Sequence, residues 1–158
     1  SRATRRHETV FRLLHLWIKG RLPDPFRSDG FALTSMSVNK GYAAKLHRDA
    51  RNAGPSVAIA TGDFTGGMLK YFPFDDGHVS LEDLKWEPHV LLDTKRTPHI
   101  FNGNLGHEVE PFTGERFSVV LYTCPHYQKA TEKTQEYLQK LGISIPTDAA
   151  LRSLQAWG

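Results

Sequence analysis

Apolar residues recur at helical spacing near the start of the chain, where Val10, Phe11, Leu13, Leu14, Trp17 and Ile18 run on until Gly20. The spacing predicts an amphipathic helix over residues 4–19. Leu22-Pro-Asp-Pro-Phe-Arg-Ser-Asp-Gly30 reads as a turn-rich linker. Beyond it the pattern changes to short apolar runs bounded by Gly, Pro, Asn and Asp. Those runs predict strands at Phe31–Val38, Ser56–Thr61, Gly67–Phe72, Val90–Leu92, His99–Phe101, Gly106–Glu110 and Arg116–Thr123. Asp75–Pro88 reads as a solvated acidic excursion, and Gln128–Leu141 and Asp148–Trp157 as closing helices. Trp17, Trp86 and Trp157 are read as packing residues. The implied fold is mainly β (α+β): a double-sheet, jelly-roll barrel over about residues 31–123 with flanking N- and C-terminal helices, in a single domain spanning 1–158.

Composition narrows the class. A chain of 158 residues, 39% apolar and 23% charged, fits one soluble domain with a substantial core. No apolar run approaches the roughly 18 residues of a membrane span, and no signal-peptide pattern opens the chain. A single cysteine, Cys124, rules out an internal disulfide framework and fits a reducing intracellular setting, in which no disulfide-linked partner is expected. Ser1 in place of Met reads as the start of a domain cut from a longer protein. The net charge of +3 is unevenly spread: residues 1–51 hold eleven Lys/Arg against four acids. A basic segment of this kind attracts a polyanion, or simply solvates a helix, and charge alone leaves both open.

The candidate chemistry lies in His47-Arg-Asp49, His107 and Arg116-Phe-Ser118. Two histidines and one carboxylate are the ligand set of a facial iron(II) site, which leaves positions for a co-substrate and O₂. In an extended segment, His47 and Asp49 project from one face. About one His-x-acid pair is expected by chance in this composition, so such a pair alone is more often a surface feature than a metal site. Pro111-Phe-Thr-Gly114 resembles a tight turn, which predicts a hairpin in which Glu110 faces Glu115 and His107 faces Ser118. His107, Val109, Arg116, Ser118, Val120 and Tyr122 then share one surface, with His107 and Arg116 about 7–8 Å apart. An arginine there would grip the far carboxylate of a dicarboxylate; the plainer alternative is a surface arginine opposite Glu110 or Glu115. His99 and His126 compete with His107 as ligands but break the ligand-then-arginine order, and His78 and His89 fall in or beside the acidic excursion.

In this order the residues resemble the iron(II)/2-oxoglutarate oxygenase superfamily over most of residues 35–123: His47-x-Asp49, the Gly66-Gly67-Met-Leu69 strand, the Phe101-Asn-Gly103 turn before His107, and Arg116-x-Ser118. Asn39 with His47-Arg-Asp49-Ala-Arg-Asn52-Ala-Gly54, Gly62-Asp-Phe-Thr-Gly-Gly67 and His107 with Pro111-Phe-Thr-Gly-Glu-Arg116 look most like the TET/JBP-type group. Animal members of that group carry a cysteine-rich region that this chain, with one Cys, lacks. The resemblance implies a double-stranded β-helix (jelly-roll, cupin-like) core. In it His47, Asp49 and His107 would hold Fe(II), and Arg116, helped by Ser118, would bind 2-oxoglutarate, with O₂ as co-substrate. It further implies oxidation of the methyl of 5-methylcytosine or thymine in DNA or RNA, a nucleic-acid partner and a nuclear location. A base in a duplex must be flipped out and held by aromatic and polar groups; Asn39, Tyr42, Arg48, Arg51, Asn52 and Phe64 are the candidates. Asn52 is equally readable as an amide supporting Asp49, and Gly66-Gly67 as a close approach beside the site or an ordinary strand-end turn. Two other functions fit the same residues: an oxygenase of protein side chains (prolyl-hydroxylase-like) or small molecules, and a non-catalytic nucleic-acid or partner-binding module on the same fold.

Overall fold

The computed structural model describes residues 2–23, 26–27, 33–49, 51–147 and 149. Helices α1 (Arg2–Arg6) and α2 (Glu8–Lys19) open the chain. The single helix expected over 4–19 is interrupted at His7, whose φ of −122° and ψ of 37° are not helical. There follow β1 (Ser35–Lys40), β2 (Ser56–Gly66), β3 (Leu69–Tyr71), α3 (Leu81–Leu84), β4 (Val90–Leu92), β5 (His99–Phe101), β6 (His107–Val109), β7 (Phe112–Tyr122) and α4 (Glu132–Lys140). The second closing helix, expected over 148–157, lies outside the described residues apart from Ala149, as do Trp157 and the first residues of the strand expected from Phe31.

The strands form two antiparallel sheets, a larger one ordered β1-β7-β2-β5 and a smaller one ordered β4-β3-β6. From β2 onward, and apart from the step from β3 to β4, successive strands pass from one sheet to the other, which is the winding of a double-stranded β-helix, or jelly roll. An isolated bridge from His47 to His107 extends the smaller sheet beyond β6. The fold is therefore mainly β with flanking helices.

Side-chain alternation along β2 and β7 divides the molecule. Val57, Ile59, Val119 and Leu121 face one side and form a core with Ile18 of α2 and with Leu22, Phe26 and Leu33. Ala58, Phe101 and Val120 face the other side and pack against Leu69, Tyr71, Leu92 and Val109 of the smaller sheet. Helices thus cover the back of the larger sheet, and its front packs on the smaller sheet. The amphipathic α2 delivers Ile18 to the back core while Val10, Leu13 and Leu16 stay exposed. The arginines of α1 and α2 accordingly belong to the back layer and not to the front.

Three sequence expectations are corrected. First, β6 and β7 are not a hairpin. β6 pairs with β3, so that Tyr71 lies opposite His107, whereas β7 pairs with β2 and β1. Glu110 and Pro111 carry the chain between sheets: the Glu110 N–H bonds to Met68 O and the Pro111 carbonyl accepts from Gly67 N. Gly114 serves an approach within the ladder and not a turn, since a Cβ there would lie 2.2 Å from Asp63 O. Second, the acidic excursion is largely exposed as expected, but two of its residues turn inward. Ser80 caps α3 by accepting from Asp83 N, and Leu84 and Asp75 are buried. Third, Trp86 is 81% exposed instead of packed inside, with Lys85 lying over its ring. Among the described residues no helix is long and apolar enough to cross a membrane.

The back core is expected to carry the stability. Ile59→Ala should lower the unfolding free energy by roughly 3 kcal/mol in urea titration, because it deletes fully buried methylenes. Val38→Ala, at an exposed position, should change it by about 0.5 kcal/mol or less.

Candidate metal centre

His47, Asp49 and His107 converge on one point, where one ligand atom from each lies within 4.8 Å of the others. The backbone brings them there. His47 N donates to His107 O and His107 N donates to His47 O, both at 3.0 Å, so the two histidines are directly opposed across an antiparallel bridge. Their ring centroids are 4.3 Å apart. Asp49 follows two residues after His47 on the same face, and its N–H donates to Gly103 O at 2.8 Å.

Hydrogen bonds aim the donors. A carbonyl only accepts, so the contacts of His47 Nδ1 with Lys45 O (2.7 Å) and of His107 Nδ1 with Leu105 O (2.9 Å) place the ring protons on Nδ1. Each Nε2 then presents a lone pair. The Asn52 amide donates to Asp49 Oδ2 at 2.8 Å, and Asp49 Oδ1 stands 3.6 Å from His47 Nε2. The amide of Asn104 is cross-bonded to the backbone of Asn52, locking this loop to the turn before β6. Oriented imidazoles and a hydrogen-bonded carboxylate are the supporting shell that a metal site requires. His107 is 6% exposed, and burial pushes its imidazole below its ordinary range, favouring the neutral ligating form. His47 and Asp49 are partly open to solvent, so the approach lies on their side. Two imidazole nitrogens, one carboxylate oxygen and an open side fit a divalent iron.

Arg116 is the second unusual group. It lies opposite Gly62 on β7, with Ser118 opposite Ala60 and Asn39. The parity of Val120 places all three side chains on the front face. Arg116 is 3% exposed, and its Nε has no hydrogen-bond partner. No carboxylate among the described residues pairs with it. Its guanidinium instead lies 5.5 Å from the Phe64 ring centroid and 5.4 Å from that of Phe112. Burial lowers its pKa, yet a guanidinium remains charged. A buried, uncompensated cation with a free donor fits an anionic carboxylate as its missing partner. Gly67 makes the room: a Cβ there would stand 3.0 Å from Arg116 Nε, at a φ of +70°.

The structure separates the substrate candidates. Asn39 shares the front face with Ser118. Tyr42 is 59% exposed, and Arg51 is exposed with a left-handed φ of 65°, beside Asp49. Asn52 holds the Asp49 carboxylate. Phe64 is buried beneath Arg116 and Lys95 and offers no open ring face. Arg48 turns away from the ligands and forms a two-pronged bond with Asp75, at 2.6 Å for each prong. Sequence reasoning missed Asp75 and Asn104. Only Asp75 had a signal, since an arginine between two inward ligands must point to the opposite side and needs a counter-charge there.

No protein-family model matches the chain, and no curated protein matches it. Among solved structures it is similar to an oxidoreductase of the 2OG-Fe(II) oxygenase family from Burkholderia pseudomallei, with 23% identity and a TM-score of 0.44. The similarity covers 57% of this chain and 43% of that one, so the chain spans less than half of that protein's length.

Two outcomes are expected. Arg48 holds the Asp75 carboxyl down to about 2, helped by the Gly77 and Gly106 N–H groups. A depressed folded-state pKa stabilises the fold above the unfolded value of about 3.9, and that stability is lost as pH falls toward 2. Wild type should therefore lose about 2 kcal/mol in this window, and Asp75→Asn should lose none of it, as read from urea midpoints against pH. Gly67→Ala should leave the fold intact yet weaken dicarboxylate binding at least tenfold by calorimetry, because its methyl crowds the guanidinium.

Proposed function

We propose that this chain is an Fe(II)- and 2-oxoglutarate-dependent dioxygenase that oxidises the methyl group of 5-methylcytosine or thymine in DNA or RNA. The observation that carries the oxygenase part is the combination of three convergent metal donors with a buried, unpaired Arg116 on the front face of the larger sheet. Bound Fe(II) supplies the redox chemistry by which O₂ and 2-oxoglutarate are consumed, with succinate and CO₂ as co-products.

The chain's own residues do the positioning. His47 and His107 present Nε2, and Asp49 presents Oδ1, with Asn52 fixing the other oxygen. Arg116 takes the distal carboxylate of the co-substrate, and the Ser118 hydroxyl on the same face assists it. Phe64 and Phe112 keep water from this ion pair, which strengthens it. Ala58 and Ala60 put small side chains on the same front face as Ser118 and Arg116. Asn39 on the front face and the exposed Tyr42 and Arg51 are the substrate-binding candidates of this reading. The nucleobase part is supported by the ordered resemblance of residues 39–67 and 107–116 to the TET/JBP-type group.

One observation favours the second reading, an oxygenase of protein side chains or small molecules. The arginines of α1 and α2 lie behind the larger sheet, so much of the basic N-terminal charge does not face the site.

Incubation with Fe(II), 2-oxoglutarate and 5-methylcytosine-containing DNA or RNA should yield an oxidised base by nucleoside mass spectrometry, with succinate in proportion. His47→Ala should abolish both products. Succinate release stimulated by peptides and not by any nucleic acid would give the second reading instead, and a His47→Ala chain that kept its biological role would point to a binding module.

A further inference from the structure

The Arg48–Asp75 pair touches no candidate ligand, yet it is built into the backbone of two of them. Arg48 stands between His47 and Asp49 and projects to the opposite side of that extended segment. Its guanidinium donates to both oxygens of Asp75 and to Val79 O at 2.8 Å. The Asp75 side chain is completely buried. Asp75 Oδ2 also accepts from Gly106 N at 2.7 Å. That N–H belongs to the same peptide unit as the Leu105 carbonyl, and this carbonyl accepts from His107 Nδ1 at 2.9 Å. Space is tight here: a Cβ on Gly106 would come within 3.2 Å of Asp75 Oδ2 and 2.2 Å of Leu84 Cδ2.

We infer that Asp75 is a positioning residue for the metal centre, acting on His107 through the Leu105–Gly106 peptide and on the His47-x-Asp49 segment through Arg48. Histidines that ligate metals commonly donate their second ring N–H to a carboxylate, which fixes the ring and raises its basicity. Here one peptide group stands between carboxylate and imidazole. A carboxylate on the N–H end polarises the amide and makes its carbonyl a stronger acceptor, since hydrogen bonds in series reinforce one another. The same carboxylate anchors the residue between the other two ligands, so one buried anion sets the spacing of all three donors. The inference rests on the metal-centre reading above.

The test is Co(II) titration of wild type, Asp75→Asn and a remote core control, Ile59→Val, each confirmed folded by near-UV circular dichroism. Asp75→Asn should bind Co(II) 10–100-fold more weakly, with an altered visible spectrum and a moved His107 Nδ1–H resonance. Ile59→Val should match wild type in all three. A folded Asp75→Asn chain with wild-type Co(II) affinity and an unmoved resonance would overturn the inference while leaving the metal centre standing. Wild type that binds no Co(II) would remove both. If Asp75→Asn does not fold, the native chain decides. Zn(II) should shift the Gly106 amide and the Asp75 carboxyl-carbon resonances, and silence of both on Zn(II) binding would refute the relay.

Discussion

The reciprocal backbone hydrogen bonds between His47 and His107 are the constraint on which the rest depends. They join a segment that is otherwise outside the sheets to the free edge of β6, and so bring together residues sixty positions apart in sequence. Once the two histidines are opposed, Asp49 falls on the same side by strand periodicity, and the Nδ1 bonds to Lys45 and Leu105 fix where the lone pairs point. Loops are usually the mobile part of a fold. This one is held at Val109 by Ala44, at Gly103 by Asp49 and at Asn104 by Asn52.

A jelly roll suits such a site because its larger sheet has two unlike faces. On the back, Val57, Ile59, Val119 and Leu121 bury apolar area under α2 and supply the driving force for folding. On the front, the alternate positions carry Ala58, Ala60, Ser118 and Arg116, which bury less apolar area and bring polar groups to that face. The strand register that serves stability therefore also fixes the chemistry. A one-residue slip of β7 would send Arg116 to the helix side and Val119 to the front. The buried guanidinium costs desolvation free energy with no counter-charge among the described residues, and the fold carries that cost at a single place.

Much of this was legible in the sequence, for identifiable reasons. β4 and β5 match their expected bounds because short β-branched and aromatic runs between turn residues have one reading. The ligand set and Arg116 stood out because their types, order and spacing are jointly uncommon. The pairing of β6 was not legible: Pro111 and Gly114 satisfy the local rules for a turn, while the real partner of β6 is β3, nearly forty residues earlier. Shared inward direction for His107 and Arg116 came out of the hairpin picture, but they reach it from different sheets. Arg48 was read as a substrate group because its partner, Asp75, lies in a stretch whose acidity suggested solvent. Local composition cannot reveal that one acid of such a stretch is drawn inside by an arginine.

The central claim is that His47, Asp49 and His107 form one metal centre with Arg116 as its carboxylate anchor. Crystals grown with Mn(II) and N-oxalylglycine, an unreactive analogue of 2-oxoglutarate, test it by anomalous diffraction. A single strong manganese peak bonded to His47 Nε2, Asp49 Oδ1 and His107 Nε2, with the analogue's far carboxylate on the Arg116 guanidinium, is the expected result. Manganese elsewhere, or an analogue that leaves Arg116 unpaired, would contradict the account.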